Sequence, residues 1–190
     1  MTRNGRNLGL LGGAALILMA AAPLASQLSL SPESKVWVSG TSSVKSFKCE
    51  TSAIGAALTS SAGEAALEKL VTDAQITVDV AKLECGNGTM NEHMQKALRM
   101  SEFPKISFKL DSYTIGAAKA VTVRGTLTIA GQERPVELTG TATEDGSLVR
   151  TTATAQINMK DWGVKPPSLM MGTMKVRELA TVGYDVTIKR

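Results

Sequence analysis

The sequence is short of the residues from which sharp chemistry is usually built. It has one histidine, His93, and only two cysteines, Cys49 and Cys85. Aromatic residues make up 4% of the chain. One histidine leaves no His-rich metal cluster, and a hydrolytic triad would have to recruit His93 with a distant serine and acid. No Gly-x-Ser-x-Gly elbow is present to present such a serine. No P-loop, dinucleotide-binding glycine fingerprint or metal-ligand spacing occurs. So few aromatics argue against a carbohydrate platform. The formal net charge is +4, of which Arg3 and Arg6 contribute two, and the other basic residues are scattered. Nucleic acid would need a basic patch or stripe, so it is excluded as a partner. No catalytic residue, metal or cofactor is assigned, and the chain is read as a non-enzyme.

Long apolar runs are also missing, with one exception at the N-terminus. Arg3 and Arg6 precede an apolar stretch from Leu8 to Ala22, followed by Pro23, Ala25 and Ser26. A charged start, an apolar centre and small residues near the break describe an export signal. Residues 1–26 are therefore assigned to a cleaved leader and 27–190 to one domain in the periplasm. An uncleaved anchor is the alternative, although Leu8 to Ala25 falls short of about 20 residues for a spanning helix. In an exported chain, Cys49 and Cys85 suggest one disulfide. Two free buried thiols are the alternative, and a zinc site using His93 would lack a fourth ligand.

What the sequence has in quantity is alternation with period two. Ile76, Val78 and Val80 alternate with polar neighbours, as do Ile106, Phe108 and Leu110. Val121, Val123, Gly125, Leu127 and Ile129 continue the pattern, then Val136, Leu138, Gly140 and Ala142. Thr151, Ala153, Ala155, Ile157 and Met159 follow, and Val182, Tyr184, Val186 and Ile188 end it. Such strands have one dry and one wet face. Short turns at Ala130-Gly131-Gln132 and Asp145-Gly146 make them antiparallel. Two more strands in 35–59 bring the count to about eight, a size that escapes exposed edges by closing into a barrel. The small inward residues, Gly125, Gly140, Ala142, Ala153 and Ala155, are expected to leave a cavity.

One or two short helices interrupt the strands. Ser61-Ala62-Gly63-Glu64 and Thr89-Met90-Asn91-Glu92 both fit a capping box. The second helix carries Met90, Met94, Ala97 and Leu98 on one stripe and stops before Pro104. Asn87-Gly88-Thr89 fits a glycosylation sequon but equally a turn into that helix. Met100, Met170, Met171 and Met174 add to the flexible methionines, which are read either as core filler or as a soft rim at the barrel mouth. A thioether copper site lacks supporting histidine or cysteine.

Several segments are similar to one known family. Val36-Trp37-Val38-Ser39-Gly40-Thr41-Ser42-Ser43-Val44 resembles its first strand, and Met90 to Leu98 with Phe103-Pro104-Lys105-Ile106-Ser107-Phe108 resembles its helix and following strand. Gly125-Thr126-Leu127-Thr128-Ile129-Ala130-Gly131, with Arg134-Pro135-Val136-Glu137-Leu138, resembles its central hairpin. Asp161-Trp162-Gly163-Val164 with Pro166-Pro167 resembles its late loop. In order across the chain, these segments resemble the YceI-like family of bacterial periplasmic polyisoprenoid-binding proteins. The chain departs at Lys45-Ser46-Phe47, where family members often carry a histidine, and its cysteine pair is not general to the family. The resemblance implies an all-β, about eight-stranded antiparallel lipocalin-like barrel with an apolar tunnel for an isoprenoid or fatty-acid-like lipid. It places Ile106, Phe108, Leu110, Val123, Leu127 and Ile129 at the ligand, with Met90 and Met94. A filled barrel acting as a non-catalytic periplasmic interaction or stress-response module is the alternative function, and a homodimer stays open. If the leader is cleaved, intact mass spectrometry of the exported protein will give a chain that starts after Ala25 or Ser26; a retained 1–26 segment would mean an anchor.

Overall fold

The computed structural model describes residues 27–60, 66–169 and 174–190. The expected leader at 1–26, the capping box at Ser61–Glu64, and Met170 and Met171 lie outside the described residues. The strands are β1 (Gln27–Leu30), β2 (Lys35–Ser42), β3 (Ser46–Thr51), β4 (Ile54–Thr59), β5 (Asp73–Asp79), β6 (Lys105–Ile115), β7 (Ala120–Ile129), β8 (Gln132–Asp145), β9 (Leu148–Asn158), β10 (Ser168–Leu169) and β11 (Met174–Lys189). One α-helix, α1 (Gly88–Ala97), separates β5 from β6.

Eight strands form a ring in the order β1–β4–β5–β6–β7–β8–β9–β11, and β1 closes it on β11. Every pairing is antiparallel, as alternation and short turns require. β2 extends the line of β1 along β11, and β3 runs into β4 in the neighbouring stave. Alternation is cleanest in β7, where Val121, Val123, Leu127 and Ile129 are buried while Thr122, Arg124, Thr126 and Thr128 are more exposed. The turn from β7 to β8 has only Ala130 and Gly131, at φ 48° and 77°. A two-residue hairpin that follows the sheet's twist needs positive φ at both central positions. The turn expected at Asp145-Gly146 sits one residue later, on Gly146-Ser147 between Asp145 and Leu148, with Gly146 at φ 56°.

Two features modify the simple alternation. The β6–β7 register shifts between Leu110 and Ser112. The bulge puts Tyr113 and Ile115 on the inner face that Ile106, Phe108 and Leu110 occupy before it. At the corner between β1 and β2, the Ser34 side chain replaces a strand: its Oγ accepts from Thr187 N–H at 3.1 Å, while Ser31 N–H donates to Thr187 O at 2.7 Å. Ser34 is accordingly buried.

The cap of α1 lies two residues before the expected box. Asn87, not Thr89, holds the N-terminus, its Oδ1 accepting from Met90 N–H at 2.9 Å. Both residue types cap well, and the asparagine is reached first. Past the C-terminus, Arg99 takes the left-handed φ of 53°. Met100 N–H donates to Gln95 O and Arg99 N–H to Lys96 O, the paired bonds that satisfy a helix end. The guanidinium donates to Ala130 O at 2.8 Å, tying the helix exit to the β7–β8 turn.

β5 ends at Asp79, so beyond it β3 meets only the connector, through the pair Glu50↔Glu84. Cys49 and Cys85 are disulfide-bonded one residue away. The bond spans 36 residues of sequence and seams the wall beside that isolated bridge. In the chain-entropy account, closing a loop of this size contributes about 4 kcal/mol. Denaturant unfolding of a Cys49→Ser/Cys85→Ser variant should show a loss of about 3–4 kcal/mol, and the native protein should expose no alkylatable thiol before reduction.

Candidate ligand site

The inner faces of the ring line a cavity of about 290 Å³. Small-molecule sites begin at roughly 300 Å³. Buried side chains form two groups. One contains Leu58, Leu67, Leu70, Val121, Val149 and Ile188; the other contains Leu127, Ile129, Ile157, Trp162 and Val164. Phe108 and Val136 pack against both. The interior is therefore layered but not filled.

Each group includes a short 3₁₀ turn. Leu67–Lys69 is held by Tyr113, whose hydroxyl donates to Leu67 O at 2.7 Å and accepts from Val71 N–H at 3.2 Å. Met159–Trp162 buries Trp162, whose indole N–H donates to Leu127 O at 3.0 Å. Arg134 Nε steadies the same turn by donating to Asp161 O at 3.1 Å. Both turns contribute to the cavity wall, through Leu67 and through Met159 and Trp162.

The lining is apolar: among the described residues that line the cavity, none is charged. A water needs two to four polar partners, so little here would hold one. Ion pairs such as Arg150–Asp185 and Arg124–Glu137 involve exposed side chains, worth about 0–1 kcal/mol each. The Arg150 guanidinium beside Asp185 holds that carboxyl below its ordinary range. Inside, burial raises the Tyr113 and Tyr184 hydroxyls above the ordinary tyrosine value, keeping both protonated.

Ile106, Phe108, Leu110, Val123, Leu127 and Ile129 all line this cavity. Met90 and Met94 do not; they are half-buried on α1, and the helix end contributes Leu98 to the wall instead. His93 is likewise outside the lining. Among the described residues there is no cluster of three or more His, Cys, Asp or Glu that could hold a metal, and no helix long and apolar enough to cross a membrane.

The glycines expected to leave space do something else. A Cβ on Gly125 would lie 2.3 Å from the Phe108 ring and 2.4 Å from Lys109 O. The ring already occupies the position of the missing side chain. A Cβ on Gly140 would meet the β9 backbone at Thr152. These glycines permit close approach of ring and strand, and the open volume comes from the spacing of aliphatic side chains across the ring. Trp162, Tyr113, Tyr184 and Leu98 were not expected at the site. The order of the late motif could have suggested Trp162; Tyr113 is hidden by the bulge.

A closed antiparallel barrel around an interior cavity whose described lining carries no charged residue is a lipocalin-like barrel. The family follows: the YceI-like domain matches residues 31–189, and the chain belongs to that family. Its fold is similar to the crystal structure of Burkholderia cenocepacia BcnA, with a TM-score of 0.70 at 18% identity, covering 84% of this chain and 99% of that one. A polyisoprenoid binding domain from Saccharophagus degradans, implicated in plant cell wall breakdown, matches with a TM-score of 0.64 at 11% identity, covering 85% and 97%. The Campylobacter jejuni YCEI protein matches with a TM-score of 0.60 at 14% identity, covering 72% and 81%. At these identities the likeness establishes the fold. No curated protein matches the chain in sequence.

The contact between Gly125 and Phe108 gives a direct check on the wall. Gly125→Ala should destabilise the protein by about 1–3 kcal/mol through overpacking. Gly88→Ala, where an added Cβ meets nothing within 4 Å, should be neutral or slightly stabilising. Thermal unfolding of both variants compares them.

Proposed function

We propose that this protein binds a long apolar lipid, of the polyisoprenoid or fatty-acid-like class, inside its barrel, and sequesters or carries it after export to the periplasm. The observation that carries this reading is the unfilled, uncharged cavity. Family membership supports it, as does a fold shared with a polyisoprenoid binding domain. The disulfide supports an oxidising, exported setting, with which the leader-like composition of residues 1–26 agrees. A binding role is preferred to catalysis because the cavity wall carries no charged group or histidine among the described residues.

The energetics favour such a ligand. Burying a methylene is worth about 0.8 kcal/mol. A dozen buried carbons then give roughly 10 kcal/mol, comparable with an association cost of about 4–15 kcal/mol. A dry wall discriminates one methylene by only about 1–3 kcal/mol, so chain length is selected loosely. Phe108 sits where both apolar groups meet, and Ile106, Leu110, Val123, Leu127 and Ile129 complete its surroundings in the ligand contact set.

Native mass spectrometry of protein from its own host, followed by organic extraction, should show a stoichiometric lipid. Phe108→Asp should abolish that retention while circular dichroism still reports a β-barrel. An empty wild-type barrel that takes up no lipid on titration would overturn the reading.

A further inference from the structure

The described cavity wall is apolar apart from four hydroxyls and two indoles, and of the indoles the Trp37 ring is packed over Gly183. The Tyr113 hydroxyl donates to Leu67 O and accepts from Val71 N–H. The Trp162 indole donates to Leu127 O. Ser107 falls between Ile106 and Phe108 in the alternation, so its side chain belongs to the opposite face of β6. Of the hydroxyls, the pair that remains is Thr151 on β9 and Tyr184 on β11. Their hydroxyl oxygens are 3.3 Å apart, and either can be the donor.

Counting hydrogens gives this pair its meaning. Two hydroxyls hold two donor hydrogens, and their mutual bond uses one. Neither hydroxyl has another hydrogen-bond partner among the described residues. One donor is therefore left over at the edge of an apolar space, where a donor without an acceptor is unfavourable. Burial keeps the tyrosine protonated, which preserves that donor. With no charged side chain on the described wall, a carboxylate or phosphate placed beside the pair would be desolvated without a counter-charge. A neutral oxygen accepts the same bond without that cost.

We infer that Thr151 and Tyr184 form a polar anchor inside the cavity, which receives a neutral oxygen acceptor of the ligand: a carbonyl, ether or hydroxyl oxygen. Charged head groups are kept out of the interior. The anchor rests on the lipid-binding reading and narrows its ligand class, because it sets where along the ligand a polar atom belongs. Tyr184 and Thr151 are specificity-determining residues on this account, and the aliphatic wall supplies affinity.

The test compares three sixteen-carbon probes, 2-hexadecanone, hexadecane and palmitate, by displacement of N-phenyl-1-naphthylamine from the delipidated mature protein at pH 8. The wild type should bind the ketone about tenfold more tightly than the alkane, the effect of one net hydrogen bond, and more tightly than palmitate. In Tyr184→Phe and in Thr151→Val the ketone-to-alkane ratio should fall toward one, with alkane affinity within about twofold of wild type. Thr151→Val keeps the inference testable if Tyr184→Phe fails to fold. Equal binding of ketone and alkane by the wild type would overturn the anchor and leave lipid binding standing. Tighter binding of palmitate than ketone would overturn its preference for a neutral group. Failure of all three probes to displace the dye would overturn lipid binding and the anchor together.

Discussion

Backbone hydrogen bonds in a sheet must end somewhere, and here they end on β11. That strand pairs with β9 from Leu179 to Lys189 along one edge. Along the other it serves β2 and then, at Ile188 and Lys189, β1. Between the two, the chain turns a corner, and Thr187 would be left with an unpaired amide and carbonyl. Ser34 Oγ and Ser31 N–H take those bonds. The ring closes without an orphaned pair because one serine side chain fills the gap. The cavity, its dry wall and the placement of both 3₁₀ turns all presuppose that closure, since an open sheet would expose its inner face to water.

The scarce aromatics are spent on a recurring contact. Trp37 lies over Gly183, Phe47 over Gly40, Phe103 over Gly131 and Phe108 over Gly125, each ring close to the point where a Cβ would stand. A glycine in a strand costs stability through backbone entropy and absent side-chain contacts; a ring laid across it restores the packing. Arg99 stacks on Phe103 at 4.6 Å, extending this packing from the β7–β8 turn to the helix exit. Rings used this way line the staves without filling the space between them.

Much of this was legible in the sequence because one face of each strand is dry. Period two placed Ile106, Phe108, Leu110, Val123, Leu127 and Ile129 on the inner face, and the structure puts them on the cavity wall. What escaped depends on departures from period. The bulge after Leu110 inserts one residue, and parity alone then points Tyr113 outward. Asn87 and Thr89 are both good caps, and only backbone geometry chooses between them. Met90 and Met94 share an apolar stripe, but a stripe does not say which surface it packs against. A glycine on an inner face reads as empty space until the neighbouring ring is located. The Thr151–Tyr184 pair joins residues 33 apart in sequence, and no local pattern signals it.

The closure between β1 and β11 makes the first and last staves of the barrel neighbours, with Ser29 facing Lys189. Synthesis delivers those two segments at opposite ends of time. A nascent chain can build the hairpins β6–β7, β7–β8 and β8–β9 from local contacts, but no enclosed interior exists until the C-terminal strand arrives to bridge β9 and the N-terminal stave. Folding of this kind is dominated by contacts distant in sequence and proceeds slowly. The enclosed compartment is thus a property of the folded chain as a whole, absent until its first and last staves have paired.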